Sequence, residues 1–224
     1  MFPLRDNIPS RHFPFVNYLF IIVNVGIFLN EVQLHRVGLL EAFIHRYGLI
    51  PAQFFGDPFL HFPQVFSSMF LHGSWGHVLG NMWYLYIFGD NVEDCLGHVR
   101  YAIYYLLMGI GAAAAQLAAQ PFSEVPMIGA SGAIAGILGS YFVLFPRAKV
   151  LTFLVIVFFV RLIEVPAFFF LGLWFVIQAF NGVGTLAVDA VRGEMGGVAW
   201  WAHAGGFLTG FLCIPFLRKR RRSY

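Results

Sequence analysis

Ser131 lies in the run Gly129-Ala130-Ser131-Gly132, and His203 in Ala202-His203-Ala204-Gly205-Gly206. Both runs sit in stretches free of Asp, Glu, Lys and Arg. Polar side chains are costly in such surroundings, so each needs a partner or a task. A serine hydroxyl beside an imidazole is a nucleophile with its base. Taken singly, each also reads as structural: Ser131 bonding a helix carbonyl, His203 donating to a neighbouring helix. The G-x-S-x-G elbow of soluble hydrolases fails here, because residue 133 is Ala. What favours the pair is smoothness. Gly132, Gly136 and Ser140 recur at four-residue spacing, and so do Ala202, Gly206 and Gly210. Two such helices approach closely, which brings Ser131 and His203 within hydrogen-bond reach.

His77 and Asn81 are four residues apart and share a helix face. Both can donate to a developing oxyanion, together with the N–H of Ser131. Asn81 also reads as an amide that packs helices. His72 precedes His77 by five residues. Zinc is the rival reading for His72, His77 and His203. The spacing is not H-E-x-x-H and no acid accompanies them inside the apolar stretches, so neither a metal nor another cofactor is expected.

The elements that position these residues follow from composition. The chain has 224 residues, 59% hydrophobic and 11% charged. Soluble domains run roughly 45–50% apolar and about 25% charged. So little charge cannot cover a water-facing surface. A soluble enzyme, a disordered chain and a secreted disulfide scaffold are excluded, leaving a polytopic protein in a lipid bilayer. Net charge is +3, but Arg218, Lys219, Arg220, Arg221 and Arg222 follow an apolar run and suit lipid headgroups. No basic stripe with exposed aromatics appears, so no nucleic-acid partner is expected. Cys95 and Cys213 make no disulfide framework.

Stretches without acidic or basic residues cover 13–30, 62–89, 101–123, 125–146, 165–188 and 195–217. A crossing helix needs about 20 residues, and backbone groups in lipid must be satisfied internally. The expected fold is therefore an all-α membrane protein with six transmembrane helices. Residues 1–12 form an N-terminal segment, 13–217 the membrane domain and 218–224 a basic tail. The first stretch lacks a small-residue cleavage site and reads as a retained span. The start of 62–89 reads as a loop, with a helix from about Gly76. Eleven cations fall on the side of the termini and three on the other, which places both termini in the cytoplasm. Residues 31–61 then form a polar outer loop. Ser131 and His203 fall near the outer ends of their spans, about 9–12 Å inside. The segment 150–160 is too short to cross and reads as an interfacial helix or strand. Pro166 suits the first turn of the fifth span, after Glu164.

The run His72-Gly-Ser-Trp-Gly-His77-Val-Leu-Gly-Asn81, the Gly129-Ala-Ser131-Gly132 motif and Ala202-His203-Ala-Gly-Gly-Phe-Leu-Thr-Gly210 together resemble the rhomboid family of intramembrane serine proteases. The similarity covers roughly 62–217, and Gly89-Asp90-Asn91-Val92-Glu93-Asp94 resembles the prokaryotic branch. The resemblance implies a six-helix rhomboid-like bundle in a cell membrane, the bacterial inner membrane by that branch. It implies Ser131 as nucleophile, His203 as general base, and His77 and Asn81 at the oxyanion. His72, Gly129 and Gly132 would support them. The fifth span would be a lateral gate, with Trp174, Ile177 and Gln178 as candidates. Substrates would be single-span or other transmembrane proteins. Two positions depart from the family. Ala135 stands where some members carry a Tyr that stacks on the histidine, and residues 31–70 lack a Trp-Arg pair. No carboxylate is expected inside a span at this depth, and Asp189, in an outer loop, is the acidic candidate for a third member. A Ser–His dyad is the economical reading. The alternatives are an inactive rhomboid-like protein that binds membrane-protein clients, and a small transporter. A transporter would need polar residues through the full membrane depth.

Overall fold

The computed structural model describes residues 2–156, 159–192 and 199–217. The basic tail at 218–224 and the side chains of Asp189 and Arg192 lie outside the described residues. In chain order the elements are β1 (Phe2–Arg5), α1 (Phe15–Arg36), α2 (Leu40–Tyr47), α3 (Pro51–Gly56), α4 (Pro58–His61) and α5 (Gln64–Ser67). There follow α6 (Trp75–Leu96), α7 (His98–Ala119), α8 (Ser131–Leu144), β2 (Lys149–Ile156), β3 (Phe159–Pro166), α9 (Ala167–Arg192) and α10 (Trp200–Leu217).

Among the described residues, α1, α7, α10 and the Ala167–Gly184 part of α9 are long and apolar enough to cross a bilayer. The other two long-stretch helices differ from expectation. α6 has 22 residues, but Asp90, Glu93 and Asp94 lie in its last turns. α8 has only 14, where the sequence suggested a span over 125–146. Pro126 lacks an N–H and Gly129 adopts φ +124°, so the approach to Ser131 is a loop. Met127 bridges to Leu49, and the Gly129 N–H donates to the Ser68 carbonyl at 2.8 Å. α8 is buried from Gly132 to Tyr141 and packs on α6, α7, α9 and α10. Its length answers to protein neighbours rather than to lipid.

The acids of α6 serve the chain that precedes α1. The Glu93 carboxylate accepts from the N–H groups of Val16 (3.0 Å) and Asn17 (2.8 Å), capping the start of α1. Asp94 accepts from the N–H groups of Arg11 (2.6 Å) and His12 (3.1 Å), and the Ser10 hydroxyl donates to Asp90. The segment 89–94 therefore forms the last turns of α6, which ends at Leu96. Gly97, at φ +81°, allows the immediate turn into α7. α1 also runs past residue 30 to Arg36, carrying Glu31 into the bundle. The expected outer loop at 31–61 is mostly the end of α1 and three short helices, α2, α3 and α4.

The short apolar segment near 150 resolves as a strand. β2 pairs antiparallel with both β1 and β3, as its alternating β-branched residues allow. Lys149 and Glu164 form a cross-strand pair at 2.8 Å; both are exposed, so it adds little. The Tyr141 hydroxyl donates to Asp6, tying the N-terminal segment to α8, and burial lifts the Asp6 carboxyl to about 6. Pro166 closes β3, and α9 begins one residue later than expected.

The centre of the bundle is the α8–α10 contact. A Cβ on Gly206 would run into the Gly132 carbonyl, and one on Gly210 into the Gly136 carbonyl. The Tyr104 hydroxyl bonds Ser140 Oγ at 2.8 Å and the Gly210 carbonyl at 3.1 Å. Ser140 in turn donates to the Gly136 carbonyl at 2.7 Å. Gly210→Val is expected to destabilise the fold by about 1–3 kcal/mol or more, read as a lower thermal midpoint in detergent. Gly26→Ala, where a Cβ meets nothing within 4 Å, is expected to leave that midpoint unlowered.

Candidate active site

Ser131 is the first residue of α8 and His203 the fourth of α10. Ser131 Oγ lies 2.7 Å from His203 Nε2. Both residues sit in the first turn of their helices, not six to eight residues inside, because both helices start later than their apolar stretches. The facing small-residue stripes bring them together across 72 positions of sequence. The other ring nitrogen of His203, Nδ1, lies 2.7 Å from Gln178 Oε1. Trp174 stands 5.9 Å from the imidazole, tilted by 37°, and Trp200 meets it edge-on at 6.1 Å. Ala135 is buried and offers no ring, so the aromatic neighbours of His203 come from α9 and α10. Of the three gate candidates, Ile177 faces outward, whereas Trp174 and Gln178 reach His203. The Gln178 contact escaped the sequence reading. Its signal was an amide in an apolar stretch that had to find a buried partner.

His77 is the third residue of α6, whose N-terminus is capped by Ser74 Oγ accepting from the His77 N–H at 3.2 Å. A Cβ built on Gly129 would stand 2.7 Å from His77 Nε2 and 3.6 Å from Ser131 Oγ. The His77 imidazole therefore borders Gly129 and Ser131, and only glycine leaves it room. Gly132 similarly clears α7, since its Cβ would fall 2.6 Å from that of Ala112. Asn81 is buried one turn along, with Nδ2 2.9 Å from His72 Nε2. An amide nitrogen donates, so that His72 nitrogen accepts. The His72 and His77 rings meet edge-on at 5.0 Å.

Behind His72 stands a carboxylate that the sequence reading placed in an outer loop. Glu31 is 1% exposed, and its two oxygens lie 3.2 and 3.1 Å from the His72 backbone N–H that donates to them. The expectation that no carboxylate lies within a span near the site is thus corrected. Glu31 supports the loop before α6. His203 has Ser131 and Gln178 as its hydrogen-bond partners.

Three helix N-termini converge on this point. The α6 end is capped by Ser74, and at α10 the Ala202 N–H donates to Gln116 Oε1 at 3.2 Å. α8 has no side-chain cap, which leaves its first N–H groups free to donate. Such an end favours negative charge. A cavity of about 20 Å3, lined by Ser68, Met127, Gly129, Ala199 and Ala202, adjoins Ser131 and has room for a water molecule. Among the described residues no three His, Cys, Asp or Glu side chains converge as metal ligands.

Residues 60–220 match the family model described as the Rhomboid domain. The chain belongs to the rhomboid family. It is 27% identical over 209 residues to Rhomboid protein 1, mitochondrial, of Saccharomyces cerevisiae, covering 90% of this chain and 53% of that protein. It is 31% identical over 117 residues to Rhomboid-like protein 11, chloroplastic, of Arabidopsis thaliana, covering 52% and 38%. With RHOMBOID-like protein 2 of the same plant it shares 30% over 169 residues, covering 72% and 44%. The chain spans about half the length, or less, of these curated relatives. With its apolar helices, this rhomboid is a multi-pass membrane protein.

Replacing Glu31 by Leu strands a buried N–H and is expected to cost about 1–3 kcal/mol. Glu31→Gln keeps an acceptor and is expected to cost less. Thermal unfolding of the two variants in one detergent checks the order.

Proposed function

We propose that this rhomboid is an intramembrane serine endopeptidase that cleaves transmembrane segments of other proteins near the outer membrane face. The observation that carries the reading is the 2.7 Å contact between Ser131 Oγ and His203 Nε2. The neutral imidazole takes the hydroxyl proton at Nε2 as Oγ attacks a peptide carbonyl. The oxyanion is held by the Ser131 N–H at the uncapped start of α8, by His77 and by the Asn81 amide hydrogen not engaged with His72. His203 then protonates the leaving amine. Water, entering by the cavity beside Ser131, attacks the acyl-enzyme, with His203 again as base.

In this reading the six long helices all cross the membrane, α6 and α8 shielded by their neighbours, and both termini lie in the cytoplasm. The cation asymmetry supports that orientation. The membrane is a bacterial inner membrane, on the strength of the segment 89–94.

The purified protein is expected to cleave a single-span test substrate and to react with a fluorophosphonate. Ser131→Ala is expected to abolish labelling, and Ser131→Ala and His203→Ala each to lower cleavage by about 10³-fold or more. An intact parent that neither cleaves nor labels would instead support the client-binding reading. A helix hides its carbonyls in hydrogen bonds, so substrates should carry helix-weakening residues near the outer surface. Replacing Gly and Pro by Leu in a panel of substrate spans is expected to slow cleavage; unchanged rates would sink this requirement.

A further inference from the structure

We infer that Gln178 is the third member of the constellation, a positioning residue whose side-chain carbonyl accepts from His203 Nδ1–H and thereby holds Nε2 unprotonated toward Ser131. The inference rests on the proteolytic reading for its kinetic consequences, and on geometry alone for the tautomer.

The two 2.7 Å contacts of His203 are made by opposite ring nitrogens. A neutral imidazole carries one proton, so the partner at one nitrogen decides what the other can do. Oε1 of Gln178 can only accept, which puts the proton on Nδ1. Nε2 is then left with a lone pair facing the Ser131 hydroxyl, the arrangement a general base needs. The opposite tautomer would donate from Nε2 to Ser131 Oγ and could not take its proton.

The burial of Gln178 argues the same way. It is 7% exposed on a helix whose other side chains are largely apolar, including Val176 and Ile177 that face outward. A buried amide there is costly unless it is bonded, and His203 is the partner it finds. The groups facing His203 from the other elements cannot substitute. α8 contributes Ser131, α9 adds Trp174, and α10 itself adds Trp200. α6 contributes His77, the titratable side chain whose charge His203 would sense. The nearest amide of α7, Gln116, is engaged with the Ala202 N–H and with Gln120. Gln178 thus does for this site what a buried carboxylate does in a three-residue triad, with a neutral acceptor that suits an apolar setting. Because it comes from α9, the base is correctly poised only while α9 lies against α10.

The test pairs spectroscopy with kinetics on the full chain in detergent. With 15N-labelled histidine, the His203 resonances, assigned by their loss in His203→Ala, are expected to report the proton on Nδ1 in the parent. A proton on Nε2 in the parent overturns the inference whether or not the protein is active. Gln178→Leu is expected to lose that preference and to lower kcat about 10–100-fold with KM changed less than about twofold. Gln178→Glu is expected to restore much of kcat and to move the acid limb of the pH profile upward. A carboxylate facing Nδ1–H stabilises the imidazolium, so a higher pH is needed to free the base. A purely structural glutamine would not move that limb. If the parent cleaves and Gln178→Leu matches it in kcat and acid limb, Gln178 has no positioning role. A parent that fails to cleave counts against the proteolytic reading, and the tautomer measurement still decides this one.

Discussion

The close approach of α8 and α10 governs everything else in this molecule. Gly206 and Gly210 lie against the carbonyls of Gly132 and Gly136, a separation that a side chain on Gly206 or Gly210 would increase. Hydrophobic burial cannot drive such a contact in lipid, where tails are as apolar as leucine. Packing and hydrogen bonds must do so, and Tyr104 and Ser140 supply bonds toward the Gly210 end of the seam. At the other end of the seam, the same approach leaves Ser131 and His203 at 2.7 Å. The Ser131–His203 contact is the last rung of that seam.

A second theme is that polar groups in the apolar bundle are spent in chains. Glu31 holds the His72 backbone, the His72 ring receives the Asn81 amide, and His77 borders Ser131. On the opposite side, Gln178 holds His203. The Glu31 carboxylate, the His72 backbone N–H and the Asn81 amide are each bonded, as most buried polar groups are, while His72 Nδ1 is left without a partner among the described residues. The site thereby has two independent supports: one from α1 through the loop before α6, the other from α9. At the far end of the bundle, Asp90, Glu93 and Asp94 follow the same logic, anchoring residues 10–17. These acids add to the hold on α1.

Short elements matter for the same reason. α8, with 14 residues, is surrounded by protein and begins where Gly129 releases the chain from its loop. Starting there leaves its first N–H groups uncapped beside the Ser131 hydroxyl. A longer helix over 125–146 would have buried those donors in its own hydrogen bonds. The sheet of β1, β2 and β3 connects α8 to α9 and ties in the N-terminus, so the helix that carries Gln178 is tethered at its start.

The sequence by itself determined the class of protein, the residue pairs and much of the pairing. Scarcity of charge demands lipid, and four-residue spacing of small residues demands close helices. Ser131 and His203 were legible because a polar group in an apolar stretch has few explanations, and His77 with Asn81 because a four-residue step is one helical turn. Helix boundaries were not legible, since apolar length alone does not reveal where Pro126 and Gly129 interrupt hydrogen bonding or where α1 continues past Glu31. Partners distant in sequence were not legible either. That Glu31 meets a backbone N–H 41 residues away, or that Gln178 meets His203, depends on which helix faces point inward. Only the packed tertiary structure decides that, because a hydrogen bond between two helices is fixed by their rotation and depth, and neither is written in a single helix.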